Sequence, residues 1–312
     1  MVSVSALFVF VALVMAASAK TTILAASLGY MAGQALPASQ PEINPVKAQP
    51  ISCGGALTQG GLIICKGIPG TRFTLGDVTL TVDETGSVAF GLGRKAASDV
   101  LIRASGPASM MTSYQLPIAK RQDETAVLRG IDCDKIDART EEQKAHASRS
   151  WVTKQVGWKN YNAGRGSIDG LIRPAEGITS SPFGYVRKYV TAGCPTKERP
   201  HFGYDIAAPT GTPIIAPAAG VVTLADDDLY YEGGTVFLDH GQGLVSLFLH
   251  MSELSVEVGD VLAAGDPIGA VGATGRVTGA HLHWAVKWRD MTREDRDGDF
   301  YIDPALLLEL EP

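Results

Sequence analysis

The stretch Thr278–Val286, TGAHLHWAV, places two histidines one residue apart inside an apolar, strand-like run. On a β-strand, residues i and i+2 point to the same face, so His281 and His283 project side by side. Leu282 and Trp284 point to the opposite face. Two imidazoles on one face of an apolar strand are costly to desolvate unless they bind something. A buried histidine with satisfied hydrogen bonds is the alternative, so this pair by itself does not decide between packing and a site.

Two further segments carry residues of the same kind. The segment HFGYD places His201 and Asp205 four residues apart, and Gly203 between them has no side chain. On an extended chain this even spacing again puts both side chains on one face. His250 ends another apolar run, VSLFLHMS. A surface histidine, a turn-capping aspartate and a structural His250 remain alternatives for each segment taken singly, but the five residues together predict a metal site, since imidazole and carboxylate both suit zinc.

The surrounding sequence is rich in short strands. From residue 166 to 312 it consists of apolar runs with a period of two between Gly and Pro corners, such as GTPIIAPAAGVVTLA and VGDVLAAGDPIGAVG. This pattern predicts a C-terminal β-sandwich, or a barrel-like sandwich. Residues 51–118 alternate in the same way around a turn at Asp83–Gly86 and predict a small antiparallel β-domain, preceded by a proline-rich linker at 36–50. The expected fold class is therefore mainly β.

Residues 119–165 are polar and predict a linker that contains a helix. A capping box at Thr140–Gln143 marks the helix start. Its apolar residues centre on Trp151 and Val152, which predicts a weak apolar face there. We expect His146, on the same helix, to be exposed and without a role.

The first 35 residues predict an export signal. Leu7–Met15 is an apolar core, followed by a small-residue cleavage site that ends at Ala19. Lys20 precedes a second apolar run, so the signal could instead start at Met15 and be cut near Ala35. An uncleaved membrane anchor is a third option. All three place the body of the protein outside the cytoplasm, and we expect a periplasmic or extracellular location.

The net charge of the chain limits the classes of binding partner that we expect. The net charge of -6 gives no general attraction to nucleic acid or to an anionic membrane. We therefore expect no nucleic-acid partner and no stable membrane insertion after signal cleavage, while the oligomeric state stays open.

The four cysteines are even in number, which favours disulfides in an exported chain. Three pairings are possible; in one of them Cys53 and Cys65 join within one hairpin, and Cys133 and Cys194 tie the linker to the second domain. A zinc-thiolate site is disfavoured, since the chain has no C-x2-C pair.

Taken together, the H-x3-D pair, the mid-domain His250 and the H-x-H pair resemble the lysostaphin/LytM-type zinc endopeptidases, which cut peptidoglycan cross-links. The flanking sequences SSPFG, LDHGQGL and VGDVLAAGDPIGAVGATG are similar as well, and the resemblance covers residues 166–288. It implies that His201, Asp205 and His283 hold one Zn²⁺ per chain. It also implies that His250 and His281 are catalytic and assist a zinc-activated water.

The resemblance further implies that the substrate is the peptide stem of peptidoglycan, with a D-Ala–diaminopimelate cross-link as the scissile bond in a Gram-negative cell. No H-E-x2-H motif supplies a glutamate base, so the two spare histidines fill the proton-transfer role.

Three other functions are alternatives to this one. A non-catalytic relative that activates wall amidases would have lost metal residues, and all five positions are intact. A biotinyl or lipoyl carrier needs an acceptor lysine, and none occurs between Gly203 and Gly279. A secreted zinc enzyme that cuts proteins stays possible. The linker is also long enough for a latent form in which it covers the site.

Two lesser motifs complete the pattern. Asp295, Asp297 and Asp299 take positions 1, 3 and 5 of a calcium loop, but Phe300 and Leu306 stand where glycine and glutamate are needed. An inserted solvated loop is therefore favoured over a calcium site. His240 lies in a hairpin-like turn, and we expect a structural role for it.

Overall fold

The computed structural model describes residues 51–106, 111–129, 137–158, 164, 168–293 and 298–310. The predicted signal segment, the 36–50 linker and Cys133 lie outside these residues. Asp295 and Asp297 also lie outside them, so the calcium hypothesis stays untested. Within the described part of the chain, no helix is both long and apolar enough to cross a membrane.

Alternating apolar residues build the predicted amino-terminal β-domain. Its strands are β1 (Ser52–Ala56), β2 (Leu62–Lys66), β3 (Arg72–Leu75), β4 (Val78–Thr81), β5 (Ser87–Gly91), β6 (Asp99–Ser105) and β7 (Met111–Pro117). They form two antiparallel sheets, ordered β1-β2-β5 and β4-β3-β6-β7. Phe73, Phe90 and Ile102 are fully buried at the centre of their core.

A disulfide joins the first two strands of this domain. Cys53 and Cys65 face each other in the β1–β2 register with their Cα atoms 4.1 Å apart, and their sulfurs are bonded. This confirms the pairing within one hairpin. Cys194 is disulfide-bonded as well.

The carboxy-terminal part is built on one large sheet. Its strands are β9 (Ile178–Ser181), β12 (Tyr204–Ala207), β14 (Gly220–Leu229), β15 (Gly233–Gly241), β16 (Leu244–Met251), β18 (Val261–Leu262), β20 (His281–Trp288) and β21 (Phe300–Ile302). The order is β18-β14-β15-β16-β20-β12-β9, and β21 pairs with β20. A smaller sheet, ordered β13-β19-β17, consists of β13 (Pro213–Ile215), β17 (Glu253–Leu254) and β19 (Pro267–Ala270). The chain is thus mainly β, as the alternation predicts.

The predicted linker contains more regular structure than expected. Helix α1 (Glu141–Gly157) begins at the predicted capping box, where Thr140 and Gln143 bond each other's backbone N–H groups. Before it, β8 (Thr125–Arg129) pairs in parallel with β10 (Val186–Val190), which also pairs with β11 (Lys197–Pro200). Strand β8 was not predicted from the sequence.

The predicted apolar face of α1 is wrong. Trp151 and Val152 are 60% and 62% exposed, because the helix turns another side to the protein. His146, expected to be exposed and without a role, is instead partly buried, and its Nε2 lies 2.7 Å from the Asp228 carbonyl oxygen on β14. Its ring also contacts Tyr230. These contacts dock α1 on the large sheet.

The two β-regions share one hydrophobic core. Leu62, Ile64 and Ala89 belong to the same buried cluster as Trp284 and Trp288. The Trp288 indole N–H donates to the Ala89 carbonyl at 3.0 Å. The short helix α2 (Pro304–Leu308) adds Leu307 to this cluster.

Candidate metal centre and catalytic site

Neighbouring strands bring the predicted ligands together. Asp205 on β12 lies directly opposite His283 on β20, and Ala207 lies opposite His281. The period of two therefore puts Asp205, His281 and His283 on one face of the sheet. His201 lies just before β12, four residues from Asp205, and its backbone N–H donates to the Tyr185 carbonyl at 2.7 Å.

Three donor atoms converge at one point. The distance is 3.0 Å between His201 Nε2 and Asp205 Oδ1, and 2.8 Å between His283 Nδ1 and the same oxygen. His201 Nε2 and His283 Nδ1 are 3.0 Å apart. His201 and Asp205 are buried, and His283 is partly buried. Two imidazoles and a carboxylate so arranged fit a zinc site with three protein ligands, the pattern of catalytic zinc.

A second layer of contacts orients these ligands. His201 Nδ1–H donates to the Pro182 carbonyl at 2.9 Å, which leaves Nε2 to face the other donors. Arg187 on β10 pairs with Asp205 Oδ2 and donates to the Ser181 hydroxyl at 3.0 Å. The guanidinium thus occupies one carboxylate oxygen and turns the other toward the histidines. Such outer contacts fix the tautomer and the orientation of metal ligands.

The two spare histidines lie beside the three donors. His250 Nδ1–H donates to the Thr274 carbonyl at 3.0 Å, and His281 Nδ1–H donates to the Gly279 carbonyl at 2.9 Å. Their ring centroids are 4.9 Å apart, and His281 Nε2 lies 3.8 Å from Asp205 Oδ1. His250 has a left-handed φ of 67°, a strained conformation for a residue with a side chain. Both rings therefore leave Nε2 as their accepting nitrogen.

Burial and hydrogen bonding set the charges of the site. Burial would raise the pKa of Asp205, but its contacts with the His201 and His283 rings outweigh burial and hold this pKa well below its usual value. Burial, with the neighbouring His283 and His281, lowers the pKa of His250 well below its usual value. Burial also lowers the pKa of His283. An anionic Asp205 beside a neutral His283 is the state that metal binding requires of these two residues.

A cavity of about 500 Å³ opens in front of the site. Asp205, His250, His281 and His283 line it, so the predicted residues face a space large enough for a substrate. Residues of β8 and β10 also line the cavity, as do Tyr231, Glu232 and Arg276.

The structure brings all five predicted site residues together, while their catalytic and ligand roles stay predictions. Arg187 was missed, although it lies three residues after the quoted SSPFG segment. His240 is fully buried and lies apart from the site, with Nδ1 2.8 Å from the Ala219 carbonyl and Nε2 2.8 Å from the Ser246 hydroxyl. These contacts fit its expected structural role.

Comparison with known proteins identifies the sequence family of this region. Residues 199–295 match the model of peptidase family M23. DD-carboxypeptidase/endopeptidase Mpg of Neisseria meningitidis is 42% identical over 108 residues, which are 35% of this chain and 24% of that protein. Peptidoglycan DD-endopeptidase ShyA of Vibrio cholerae is 41% identical over 85 residues, 27% of this chain and 20% of that protein. The chain thus spans a quarter or less of the length of these two relatives.

A crystal structure of a peptidase M23 from Pseudomonas aeruginosa is similar over a larger part of the chain. It matches with a TM-score of 0.57 at 28% sequence identity, and covers 81% of this chain and 96% of that one. The likeness therefore extends beyond the residues that the family model matches. Residues 199–295 of this chain form a peptidase family M23 domain, in agreement with the resemblance that the histidine and aspartate motifs carry.

Proposed function

We propose that this chain is an exported zinc endopeptidase that hydrolyses the peptide cross-links of peptidoglycan in the periplasm. The observation that carries the proposal is the convergence of His201 Nε2, Asp205 Oδ1 and His283 Nδ1 within 3.0 Å of one another at the wall of an open cavity. The relative named as a peptidoglycan DD-endopeptidase supports the substrate. The export signal predicted from the first 35 residues supports the location.

The donor set fits one Zn²⁺ per chain, held by His201, Asp205 and His283. When bound there, zinc supplies a Lewis acid that acidifies water and polarises a carbonyl. Arg187 keeps the Asp205 carboxylate turned toward the two imidazoles, and the Pro182 carbonyl keeps His201 in the tautomer with Nε2 as the donor to a metal.

His281 and His250 supply the proton transfers. Each donates its Nδ1–H to a backbone carbonyl, so each offers an unprotonated Nε2 to the cavity. An imidazole in this tautomer accepts a proton from the attacking water and later returns it to the departing amine. Once protonated, the same nitrogen donates a hydrogen bond to the developing oxyanion. Burial lowers the pKa of His250, which keeps its ring neutral before the reaction.

The test is cleavage of isolated peptidoglycan by purified, zinc-loaded residues 36–312, with fragments read by mass spectrometry. We expect cross-linked dimers to disappear and new peptide termini to form. His281→Ala should slow this cleavage by about 100-fold or more while zinc stays stoichiometric, since this residue transfers protons and does not hold the metal. Zinc binding without cleavage would contradict the substrate assignment. A protein that binds no zinc and cleaves no peptidoglycan would favour a non-catalytic regulator.

A further inference from the structure

Strand β8 lies outside the family M23 segment, yet its register carries two side chains to the metal centre. Ala126 pairs with Arg187, and Leu128 pairs with Tyr189 on β10. Residues paired across adjacent strands share a face of the sheet. Arg187 contacts the predicted ligand Asp205, so Ala126 and Leu128 face the same cavity, and both line it.

The opposite face of β8 points away from the cavity. Val127 stands between the two lining residues, is 48% exposed, and pairs with Lys188. Lys188 forms a surface ion pair with Glu198 at 2.9 Å. One strand therefore presents a substrate side and a solvent side, and Val127 is a matched position on the solvent side.

The chemistry of the β8 wall is apolar. Ala126 and Leu128 offer only carbon to the cavity, and the Arg187 guanidinium beside them is already engaged by Asp205 and Ser181. Elsewhere the lining of the cavity includes the charged residues Glu232 and Arg276. A charged substrate side chain has no partner at the two β8 residues, whereas an aliphatic one can bury its carbon there.

We propose that Ala126 and Leu128 form a substrate subsite for a small aliphatic residue, such as an alanine of a wall peptide. The proposal rests on the peptidase function proposed above. The subsite is supplied by the segment before the M23 domain, so that segment takes part in substrate selection. Strand β8 lines part of the cavity, whose volume in front of the predicted ligands is about 500 Å³.

The experiment compares the purified, zinc-loaded wild type with Leu128→Ala, Ala126→Leu and the control Val127→Ala. The substrates are synthetic cross-linked stem peptides with alanine, or glycine in its place, next to the scissile bond. On the alanine substrate, Leu128→Ala should lower kcat/KM by about tenfold, mainly through KM, because the substrate methyl loses its contact. Ala126→Leu should lower kcat/KM by at least as much, since it fills the groove. Val127→Ala should stay within about twofold of wild type.

The glycine substrate separates a subsite from a structural effect. Wild type should prefer alanine over glycine, and this preference should vanish in Leu128→Ala, while zinc content and Tm remain unchanged in all variants. Equal kinetics for Leu128→Ala and Val127→Ala would overturn the subsite and leave the peptidase function standing. A rise in activity in Leu128→Ala would also overturn it, since β8 would then obstruct the groove. A wild type that cuts no wall peptide would overturn the proposed function, and the subsite with it.

Discussion

At the scale of single residues, Gly203 carries no side chain because His283 occupies the space. A Cβ atom placed on Gly203 would lie 2.4 Å from both Cε1 and Nε2 of the His283 ring. Position 203 lies between His201 and Asp205 on the side where His283, the third predicted ligand, packs. A glycine is therefore needed there. The segment from His201 to Asp205 thus supplies two predicted metal ligands and also leaves room for the third.

We expect Gly203→Ala to displace the His283 ring and to lower zinc affinity by roughly 10- to 100-fold, the range seen when support for a metal ligand is lost. Zinc affinity is measured by competition with a chromophoric chelator. The control is Gly54→Ala, where an added Cβ meets no atom within 4 Å; it should bind zinc like the wild type. Wild-type affinity in Gly203→Ala would show that the ring has room to move without loss of the site.

The residue types and spacings predicted all five members of the site, because the period of a strand assigns each side chain to a face. Arg187 could not be assigned in the same way. Its contact with Asp205 joins β10 and β12, which belong to different sheets, and spacing along the chain does not encode this arrangement. The carbonyl partners of His250 and His281 belong to loop backbone and leave no sequence signal.

At the scale of elements, polar contacts rather than an apolar face attach helix α1. Lys154 pairs with Glu232, each side chain being 18% exposed. The second carboxylate oxygen, Glu232 Oε2, is buried without a hydrogen-bond partner among the described residues. The Glu232 carbonyl in turn accepts the His250 N–H at 2.8 Å. The helix is therefore attached to the backbone that holds a predicted catalytic histidine.

Lys154→Met should lower the free energy of unfolding by about 2–4 kcal/mol, because a largely buried carboxylate loses its ionic partner. The matched control is Lys144→Met on the same helix, whose pair with Glu141 is 55% and 91% exposed. An exposed pair contributes little, so this control should change stability by less than about 1 kcal/mol. Urea denaturation measures both values. A similar loss in the two variants would mean that the Glu232 contact does not anchor the helix.

The sequence pattern predicted the start of α1 from its capping box, a local interaction between residues three apart. The docking side was missed because apolar residues were taken to face the protein, whereas His146, Ser150 and Lys154 make the contacts. Strand β8 was missed for a related reason. Its five residues alternate too briefly to stand out, and its partner β10 lies more than fifty residues further along the chain.

At the scale of the whole molecule, the amino-terminal β-domain completes the hydrophobic core of the large sheet that carries β12 and β20. A Cβ atom on Gly91 would lie 2.7 Å from Trp288, which leaves no room between the two regions for a larger residue. Residues 47–312 accordingly cluster as one compact unit. Separate patterns in the sequence predicted two β-regions, but patterns within each strand cannot show that their apolar faces pack on each other.

The same core makes folding sensitive to pH through His240. Burial lowers the pKa of His240 from 6.5 to about 4, and the hydrogen bond to the Ala219 carbonyl offsets only part of this shift. The folded state therefore keeps the ring neutral, accepting from the Ser246 hydroxyl, which also accepts the Trp284 indole N–H at 3.2 Å. Since the folded pKa is the lower one, this contribution is complete above pH 6.5 and is lost as the pH falls toward 4.

A shift of this size corresponds to about 3 kcal/mol of unfolding free energy between pH 7 and pH 4. His240→Gln keeps a donor and an acceptor but does not titrate, so it should be less stable than wild type at pH 7 and lose less stability on acidification. The measurement is urea denaturation of both proteins at several pH values. The other five histidines are the same in both proteins, so their effect cancels in the difference. A difference that stays constant from pH 7 to pH 4 would show that His240 does not couple protonation to folding.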